Sequence, residues 1–330
     1  MLRTRRALVL PATLVALALV PPLAAQAKTF HGTNRADHIK GTPQNDKLKA
    51  KGGNDQFKGM GGNDTVYGGT GDDKLTMGPG GDKAYGEDDS DTINGGGGND
   101  TLDGAGGNDV VNGNAGNDGV SGGDGNDVIN SGSGDDTVDA GPGDDLKVML
   151  GAGNDTGHGG DGNDGDTSQT GIGIQGQEGD DQIWGDAGND HVSGGPGNDT
   201  LYGGDGNDTM DGGDGNDYVD LGPGDDNATG DEGDDTMLPG TGADFTYAEE
   251  GSNHVILTDD GAKDLVYCRH EGRNLGDGYV TYVGVTFSAD LAAQLDRLEG
   301  CSRVEYVPTL RAALGLHHPV RVTAKVSDLF

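Results

Sequence analysis

Residues 122–130 read GGDGNDVIN, and the same pattern returns at residues 203–211 and 212–220. Each copy has glycine at its first, second and fourth positions, aspartate at its sixth and a large apolar residue at its eighth. We number the repeat positions one to nine from the first glycine. A fixed short period of this kind predicts a solenoid, in which each repeat packs only against its neighbours.

The sixth-position aspartate recurs every nine residues along most of the chain. One run extends from Asp37 to Asp145, and a second extends from Asp181 to Asp244. The 36 residues between Asp145 and Asp181 are four times nine, so the phase is kept. One apolar residue per nine, flanked by polar ones, predicts a three-residue strand whose middle side chain faces inward. Counted by nines, the chain from Asp37 to Asp244 holds 24 repeat positions for this aspartate.

The composition excludes a conventional hydrophobic core. The 330 residues include 67 glycines, only 31% are hydrophobic, and the formal net charge is −36. Such a balance is typical of disordered chains unless cations neutralise the charge. An acidic disordered linker would explain this composition but not the period. Nucleic acid and anionic membranes are excluded as partners because they carry the same sign of charge.

The repeat resembles the RTX, or haemolysin-type, calcium-binding nonapeptide Gly-Gly-x-Gly-x-Asp-x-U-x, where U is a large aliphatic residue. The resemblance covers about residues 32 to 245. It implies an all-β fold, a parallel β-roll in which two nonapeptides form one coil. It also implies that the turns bind multiple calcium ions (Ca2+) and that the short strands form a thin aliphatic core.

The residues themselves are suited to calcium. Calcium prefers six to eight oxygen ligands, which carboxylates and turn carbonyls supply. A coil of 18 residues places alternate aspartates in two columns with an ion between neighbours, so metal binding and folding become one process. The predicted metal ligands are Asp55, Asp64, Asp73, Asp82, Asp100, Asp109, Asp118, Asp127, Asp136, Asp145, Asp155, Asp164, Asp181, Asp190, Asp199, Asp208, Asp217, Asp226 and Asp235.

Three turns lack the fourth-position glycine, which is replaced by Arg35, Gln44 and Asp89. We expect weaker or absent metal sites there, because turning carbonyls inward requires φ values that a Cβ disfavours.

The repeat is irregular between the two runs. Asp155 and Asp164 arrive one residue late, Gly157 stands where an aliphatic residue belongs, and Ile172 occupies an aspartate position. This pattern predicts a one-residue bulge within 146–150, cancelled later by one missing residue. Since aliphatic positions and a ligand are lost together, we expect residues 151–173 to open most easily.

Residues 1–27 have the organisation of a signal peptide. Three arginines precede an apolar stretch at 7–20 and a small-residue triplet that ends at Ala27. The apolar stretch is shorter than a membrane span, which predicts cleavage after Ala27 and a secreted, extracellular chain. Two adjacent arginines leave both the general and the twin-arginine export routes open. The mature chain then consists of the repeat region, 28–245, and a segment at 246–330.

Residues 246–330 have an ordinary composition and are predicted to form a small α+β capping domain. Alternating runs predict strands at 254–257 and 279–283, and apolar spacing predicts a helix at 288–298. The two cysteines, Cys268 and Cys301, are predicted to form a disulfide in an exported chain. A nucleophilic role for Cys268 beside His270 is the weaker alternative, because sequence proximity does not make a catalytic geometry.

No protease zinc motif, nucleophile elbow or pore-forming segment accompanies the repeats. The sequence therefore predicts a secreted calcium-binding protein, not an enzyme, with a structural, adhesive or calcium-sequestering role. Its expected partners are calcium ions, contact with a cell-surface or extracellular polysaccharide is left open, and no membrane span is predicted after the signal peptide. The alternative is a secreted enzyme, polysaccharide-modifying or hydrolytic, with its active site in the C-terminal segment or on the flank of the roll.

Overall fold

The computed structural model describes residues 26–165, 173–258, 264–267, 279–283, 297–299, 303–307 and 322–324. All regular structure in these ranges is β. None of their residues forms a helix that is long and apolar enough to span a bilayer. Residues 1–25 of the predicted signal peptide, Cys268, His270 and Cys301 lie outside the described residues.

Thirty strands are found in the described residues, and most are six residues long. They are β1 (Thr29–His31), β2 (His38–Lys40), β3 (Lys47–Gly52), β4 (Gln56–Lys58), β5 (Thr65–Thr70), β6 (Lys74–Pro79), β7 (Lys83–Asp88), β8 (Thr92–Gly97), β9 (Thr101–Gly106), β10 (Val110–Ala115), β11 (Gly119–Asp124), β12 (Val128–Ser133), β13 (Thr137–Asp139), β14 (Lys147–Ala152), β15 (Thr156–Asp161), β16 (Gly173–Glu178), β17 (Gln182–Ala187), β18 (His191–Pro196), β19 (Thr200–Asp205), β20 (Thr209–Asp214), β21 (Tyr218–Asp220), β22 (Asn227–Thr229), β23 (Thr236–Leu238), β24 (Phe245–Tyr247), β25 (His254–Thr258), β26 (Leu265–Tyr267), β27 (Tyr279–Val283), β28 (Arg297–Glu299), β29 (Arg303–Val307) and β30 (Val322–Ala324).

The strands form two sheets that the chain visits in alternation. Odd-numbered strands β1 to β29 make one parallel sheet, which β30 joins antiparallel to β29, and even-numbered strands β2 to β28 make the other. Val111 is in register with Ile129, eighteen residues later, as two nonapeptides per coil require. The predicted parallel β-roll is confirmed.

The core is a thin double row of side chains between the two sheets. The eighth-position residue is buried in most repeats, as at Val66, Ile93 and Ile129, and the first position also faces inward. The three-residue strand length predicted from the apolar spacing is found in strands such as β4 and β13, but it is too short for most of the roll, where backbone pairing continues through positions one to three. A glycine at position one removes the side chain but keeps the extended conformation.

The bulge near Leu146 is confirmed, and Leu146 is its extra residue. Ile129 pairs with Val148, nineteen residues later, while Leu146 is left 51% exposed. The compensating missing residue was wrong. In the next coil Val148 pairs with Ile174, twenty-six residues later, which is eight more than a regular coil. The one extra residue at Leu146 and the eight extra residues of the next coil add up to nine, which is the length of one repeat. The later aspartates therefore return to the original nine-residue phase, although the chain has an insertion where counting by nines predicts another half-coil.

In the described part of this region, 151–165, the aliphatic side chain is missing at Gly157 as expected, but the core beside it stays filled. Gly157 occupies an inward position between Val138 and Ile183. A Cβ on Gly157 would lie 2.9 Å from both methyl groups of Leu150, which stands at a first position and is fully buried. Leu150 therefore fills from the opposite sheet the space that Gly157 leaves.

Both sheets continue past the last repeat. The strands predicted at 254–257 and 279–283 are present as β25 and β27, and they add to the odd sheet in parallel register. The helix predicted over 288–298 does not extend to its end, since Arg297–Glu299 forms β28 and pairs with β26. Residues 284–296 lie outside the described residues.

We expect Leu150 and Gly157 to be energetically coupled. Leu150→Gly leaves a cavity and should destabilise the folded protein by about 2–5 kcal/mol, the range of large-to-small core substitutions. Gly157→Val should be destabilising because the new side chain meets Leu150. The double variant restores the pattern of the neighbouring coils, so it should be more stable than either single variant, as measured by thermal unfolding in saturating calcium. Leu48→Ala combined with Gly157→Val is the control and should be additive. A double variant whose loss equals the sum of the single losses would contradict this packing.

Candidate metal-binding turns

The turns between the two sheets are built from repeat positions four to six, and they bury the sixth-position aspartates. The aspartates from Asp46 to Asp244 are at most 3% exposed, and Asp127 is fully buried. Burial of a carboxylate is costly unless it is paired or neutral. The turns therefore place carboxylates, whose burial is energetically costly, in the interior of the protein.

A hydrogen-bond ladder connects each aspartate to the one in the next coil. The backbone N–H of Asp109 donates to Oδ1 of Asp127 at 2.8 Å, and that of Asp127 donates to Oδ1 of Asp145 at 2.7 Å. The ladder crosses the irregular region, where the N–H of Asp164 donates to Asp190 at 2.8 Å. It forms two columns, one through Asp37, Asp55, Asp73, Asp91, Asp109, Asp127, Asp145, Asp164, Asp190, Asp208, Asp226 and Asp244, and one through Asp46, Asp64, Asp82, Asp100, Asp118, Asp136, Asp155, Asp181, Asp199, Asp217 and Asp235.

A second ladder lies on the outer side of the turns and has the opposite direction. The backbone N–H of Asn126 donates to Oδ1 of Asn108 at 3.0 Å, and that of Asn117 donates to Oδ1 of Asn99 at 3.1 Å. These fifth-position side chains are exposed. Each turn is thus tied to the coil before it and to the coil after it.

The inner carboxylate oxygen of the columns is not satisfied by protein groups. In twenty aspartates from Asp55 to Asp235, Oδ2 is buried and has no hydrogen-bond partner among the described residues. These twenty are the nineteen predicted ligands together with Asp91. Since buried polar groups are almost always paired, a repeated orphan oxygen indicates a ligand that binds there.

Backbone carbonyls lie beside these orphan oxygens. A Cβ built on Gly212 would lie 2.7 Å from Oδ2 of Asp217 and 3.0 Å from the carbonyl oxygen of Gly230. The same pair surrounds Gly185, where the two oxygens belong to Asp190 and Gly203. Carboxylate and carbonyl oxygens therefore converge on one place in each coil, which is the donor set that calcium prefers.

The backbone conformation at position four favours glycine. Gly125, at this position, has φ of 139°, a region that a Cβ disfavours. The turn with Asp89 at this position keeps a left-handed conformation, with φ of 76°. In that turn the Oδ2 of Asp91 is unpaired as in its neighbours.

The first two turns, which lack the fourth-position glycine, differ from the rest, whereas the Asp89 turn, which also lacks it, does not. Oδ2 of Asp37 accepts a hydrogen bond from the backbone N–H of Thr33 at 2.6 Å, and Oδ2 of Asp46 accepts one from Thr42 at 2.5 Å. These two carboxylates have the partner that the other twenty lack. This difference supports the expectation of weak or absent metal sites in the first two turns.

The position at 172, counted as a half-coil with Ile172 in place of aspartate, is not part of the ladder. Asp155 is followed in its column by Asp181, and Asp164 by Asp190, so 23 sixth-position aspartates are stacked and not 24. Residue 172 itself lies outside the described residues.

Sequence reasoning missed two further members of the columns. The N–H of Asp235 donates to Oδ1 of Asn253 at 2.8 Å, and the N–H of Asp244 donates to Oδ1 of Asp264 at 3.1 Å. Asn253 stands nine residues after Asp244, with Val255 at the eighth position, so the period could have identified it if asparagine had been accepted in place of aspartate.

Within the described residues, no three His, Cys, Asp or Glu side chains come together as a ready-made metal cluster. A metal in these turns would be held by carboxylates of successive coils together with backbone carbonyls. The orphan oxygens, the nearby carbonyls and the left-handed glycines all fit calcium.

A comparison with protein families agrees with this geometry. The family described as RTX calcium-binding nonapeptide repeat (4 copies) matches residues 31–58, 50–84, 85–120, 112–146, 174–201, 184–219, 193–228 and 211–246. The chain belongs to this RTX repeat family. No curated protein matches it in a sequence search. The RTX matches leave out residues 147–173, the region that contains the bulge and the insertion.

Burial controls the protonation of the RTX aspartates in the absence of metal. Loss of hydration raises the pKa of Asp91 to about 8, against the hydrogen bond from the backbone of Asp73, which lowers it. The pKa of Asp190 is likewise raised to about 8, and that of Asp127 to about 7. Neighbouring carboxylates in the column add to the effect, since like charges disfavour ionisation.

The substitution Asp127→Asn distinguishes the roles of the two carboxylate oxygens of this residue. The amide keeps an oxygen for the N–H of Asp109 but replaces Oδ2 by a group that cannot bind a cation. We expect the calcium midpoint of folding to rise about tenfold, equivalent to 1.4 kcal/mol. Asp124→Asn removes the same charge from an exposed position and should leave the midpoint almost unchanged. Equal shifts in the two variants would argue against ligation by Oδ2.

The raised pKa values also predict how pH acts on the calcium-free chain. The folded roll holds protons that the unfolded chain, with carboxyl pKa values near 3.8, releases. The contribution of Asp91 to stability is fully present below pH 3.8 and is lost as the pH rises through about 8, and that of Asp127 is lost as the pH rises through about 7. In chelator, circular dichroism should show more β structure in mildly acidic buffer than in mildly alkaline buffer. In calcium, acidification should weaken calcium binding, because protons compete for the same oxygens. A calcium-free β signal that grows with rising pH would contradict this prediction.

Proposed function

We propose that the chain is an exported, non-enzymatic calcium-binding protein whose repeats fold into a rod when calcium becomes available outside the cell. The observation that carries this proposal is the set of twenty buried aspartate oxygens without a protein partner. A divalent cation between successive coils would neutralise two carboxylates and bind both coils together. Calcium binding would then be the source of stability that the thin core cannot supply.

Export is supported by the organisation of residues 1–27 and by the calcium requirement itself. Calcium sites in extracellular modules typically have dissociation constants of about 10⁻⁴ to 10⁻³ M, suited to external calcium. A chain with these sites would stay unfolded at the low calcium concentration of a cytoplasm and fold after export. The rod is proposed to act as a structural or adhesive element, or to sequester calcium.

The segment 246–330 is proposed to close the C-terminal end of the roll. An open solenoid end presents unpaired strand edges and apolar side chains, which favour association. Strands β25 to β29 extend both sheets at this end. A disulfide between Cys268 and Cys301 would hold the segment closed in an oxidising environment.

Small-angle X-ray scattering of the mature chain tests this proposal. The fourteen parallel steps from β1 to β29, at about 4.8 Å each, correspond to a rod about 65 Å long. In calcium we expect a radius of gyration of about 20–25 Å, and in chelator about 60 Å, the value for an unfolded chain of this length. Magnesium is the control cation, because it demands octahedral geometry and retains its waters, and it should not compact the chain at equal concentration. A compact rod in excess chelator at neutral pH would overturn the proposed calcium-dependent folding.

A further inference from the structure

Basic residues are concentrated at the N-terminal end of the roll. Residues 28–83 contain nine of the lysines and arginines, whereas Lys147 is the only one between residues 84 and 262. Five of the seven aspartates in the same 28–83 range are the buried turn aspartates. Calcium at the four of these turns that keep the unpaired oxygen leaves nine basic against three acidic side chains in this range, so this end is positive while the rest of the rod stays acidic.

Four of the basic side chains form one cluster on the outer face of the even sheet. This basic face consists of His38 and Lys40 on β2, Lys58 on β4 and Lys74 on β6, and all four side chains are exposed. Lys40 is directly opposite Lys58 in the parallel register. Lys74 is in register with Gln56, which is in turn opposite His38. The face has a shallow depression of about 300 Å³, to whose lining Gln56 and Thr76 contribute polar groups.

Within the described residues, no lysine of the basic face forms an ion pair with a carboxylate. In the part of the chain that the structure describes, the only ion pair joins His158 and Asp186, far along the roll. Like charges directly opposite each other on neighbouring strands are destabilising. Lys40 and Lys58 therefore carry a cost that a bound anion would remove.

Uncharged polar groups continue from the basic face along the same sheet. Thr76, Asn94, Asn112 and Asn130 occupy the ninth position of successive even strands and lie in register. They are half-exposed and form a row with one hydroxyl or amide group per coil. The spacing of the row is the strand separation of about 4.8 Å.

We propose that the basic face binds an acidic polysaccharide whose carboxylates contact Lys40, Lys58 and Lys74. Its hydroxyl groups then hydrogen-bond with the Thr76 to Asn130 row. The arrangement suits a polymer with separated charges and many hydroxyls. It does not suit duplex nucleic acid, which has one charge per about 1.7 Å and would lie against a rod that is otherwise acidic. This inference rests on the proposed function, since the face exists only in the calcium-folded roll.

Calorimetric titration of the calcium-loaded mature chain with a short oligogalacturonate tests the proposal. The ligand control is the same oligosaccharide with its carboxyl groups reduced, which should not bind. The protein variant is Lys40→Gln/Lys58→Gln/Lys74→Gln. Its matched control is Lys47→Gln/Lys49→Gln/Lys83→Gln, which removes the same charge from exposed lysines of the odd sheet.

We expect the affinity of the basic-face variant for the oligogalacturonate to fall at least about tenfold, which corresponds to about 1.4 kcal/mol. The affinity of the control variant should fall less than about twofold. Equal losses in both variants would overturn the site and indicate attraction by net charge alone. Binding of anionic lipid vesicles without binding of the uronate would also overturn it. So would calcium-dependent self-association, seen by sedimentation and abolished only in the basic-face variant, because the face would then be a contact between copies.

Circular dichroism of the same samples separates failure of this inference from failure of the proposed function. Folding in calcium without uronate binding overturns the polysaccharide site alone. Absence of a calcium-induced β signal overturns the proposed function on which the site rests.

Discussion

A buried aspartate carboxylate, satisfied on one oxygen and unsatisfied on the other, is the interaction on which the whole roll depends. Oδ1 of Asp127 accepts a hydrogen bond from the coil before it, while its Oδ2 has no partner among the described residues. Each repeat therefore creates a cost that the polypeptide alone does not offset. A cation between coils removes the cost and makes the carboxylates the main contacts between neighbouring turns.

The other features of the repeat follow from this constraint. Glycine at position four gives the left-handed turn, as at Gly125, and glycine at position one, as at Gly212, leaves room for the carboxylate and carbonyl oxygens. Only the eighth position is left for a regular apolar side chain, so the core is a thin double row. Each coil contacts only its two neighbours, which makes stability a sum of nearest-neighbour terms and folding a propagating process.

The period made the parallel roll, the two aspartate columns and the inward aliphatic row predictable, because each is a direct consequence of eighteen residues per coil. The insertion before Gly173 was not predictable, because a period counts residues and not pairings. One extra residue at Leu146 and eight after Asp164 restore the phase and resemble an additional degenerate repeat. The packing of Leu150 against Gly157 was also not predictable, because the large side chain and the missing one lie on opposite sheets and are paired only in the folded roll. Asn253 and Asp264 were missed because an asparagine and an aspartate outside the strict pattern continue the columns past Asp244.

The most direct measurement follows bound calcium and β structure in the same titration of the mature chain at neutral pH, with a calcium electrode and circular dichroism. If the columns fold only when calcium neutralises them, the two curves should superimpose and rise steeply together, because binding and folding are one process. A full β signal at a calcium occupancy near zero would contradict that dependence, and so would calcium binding that saturates while the chain remains unfolded.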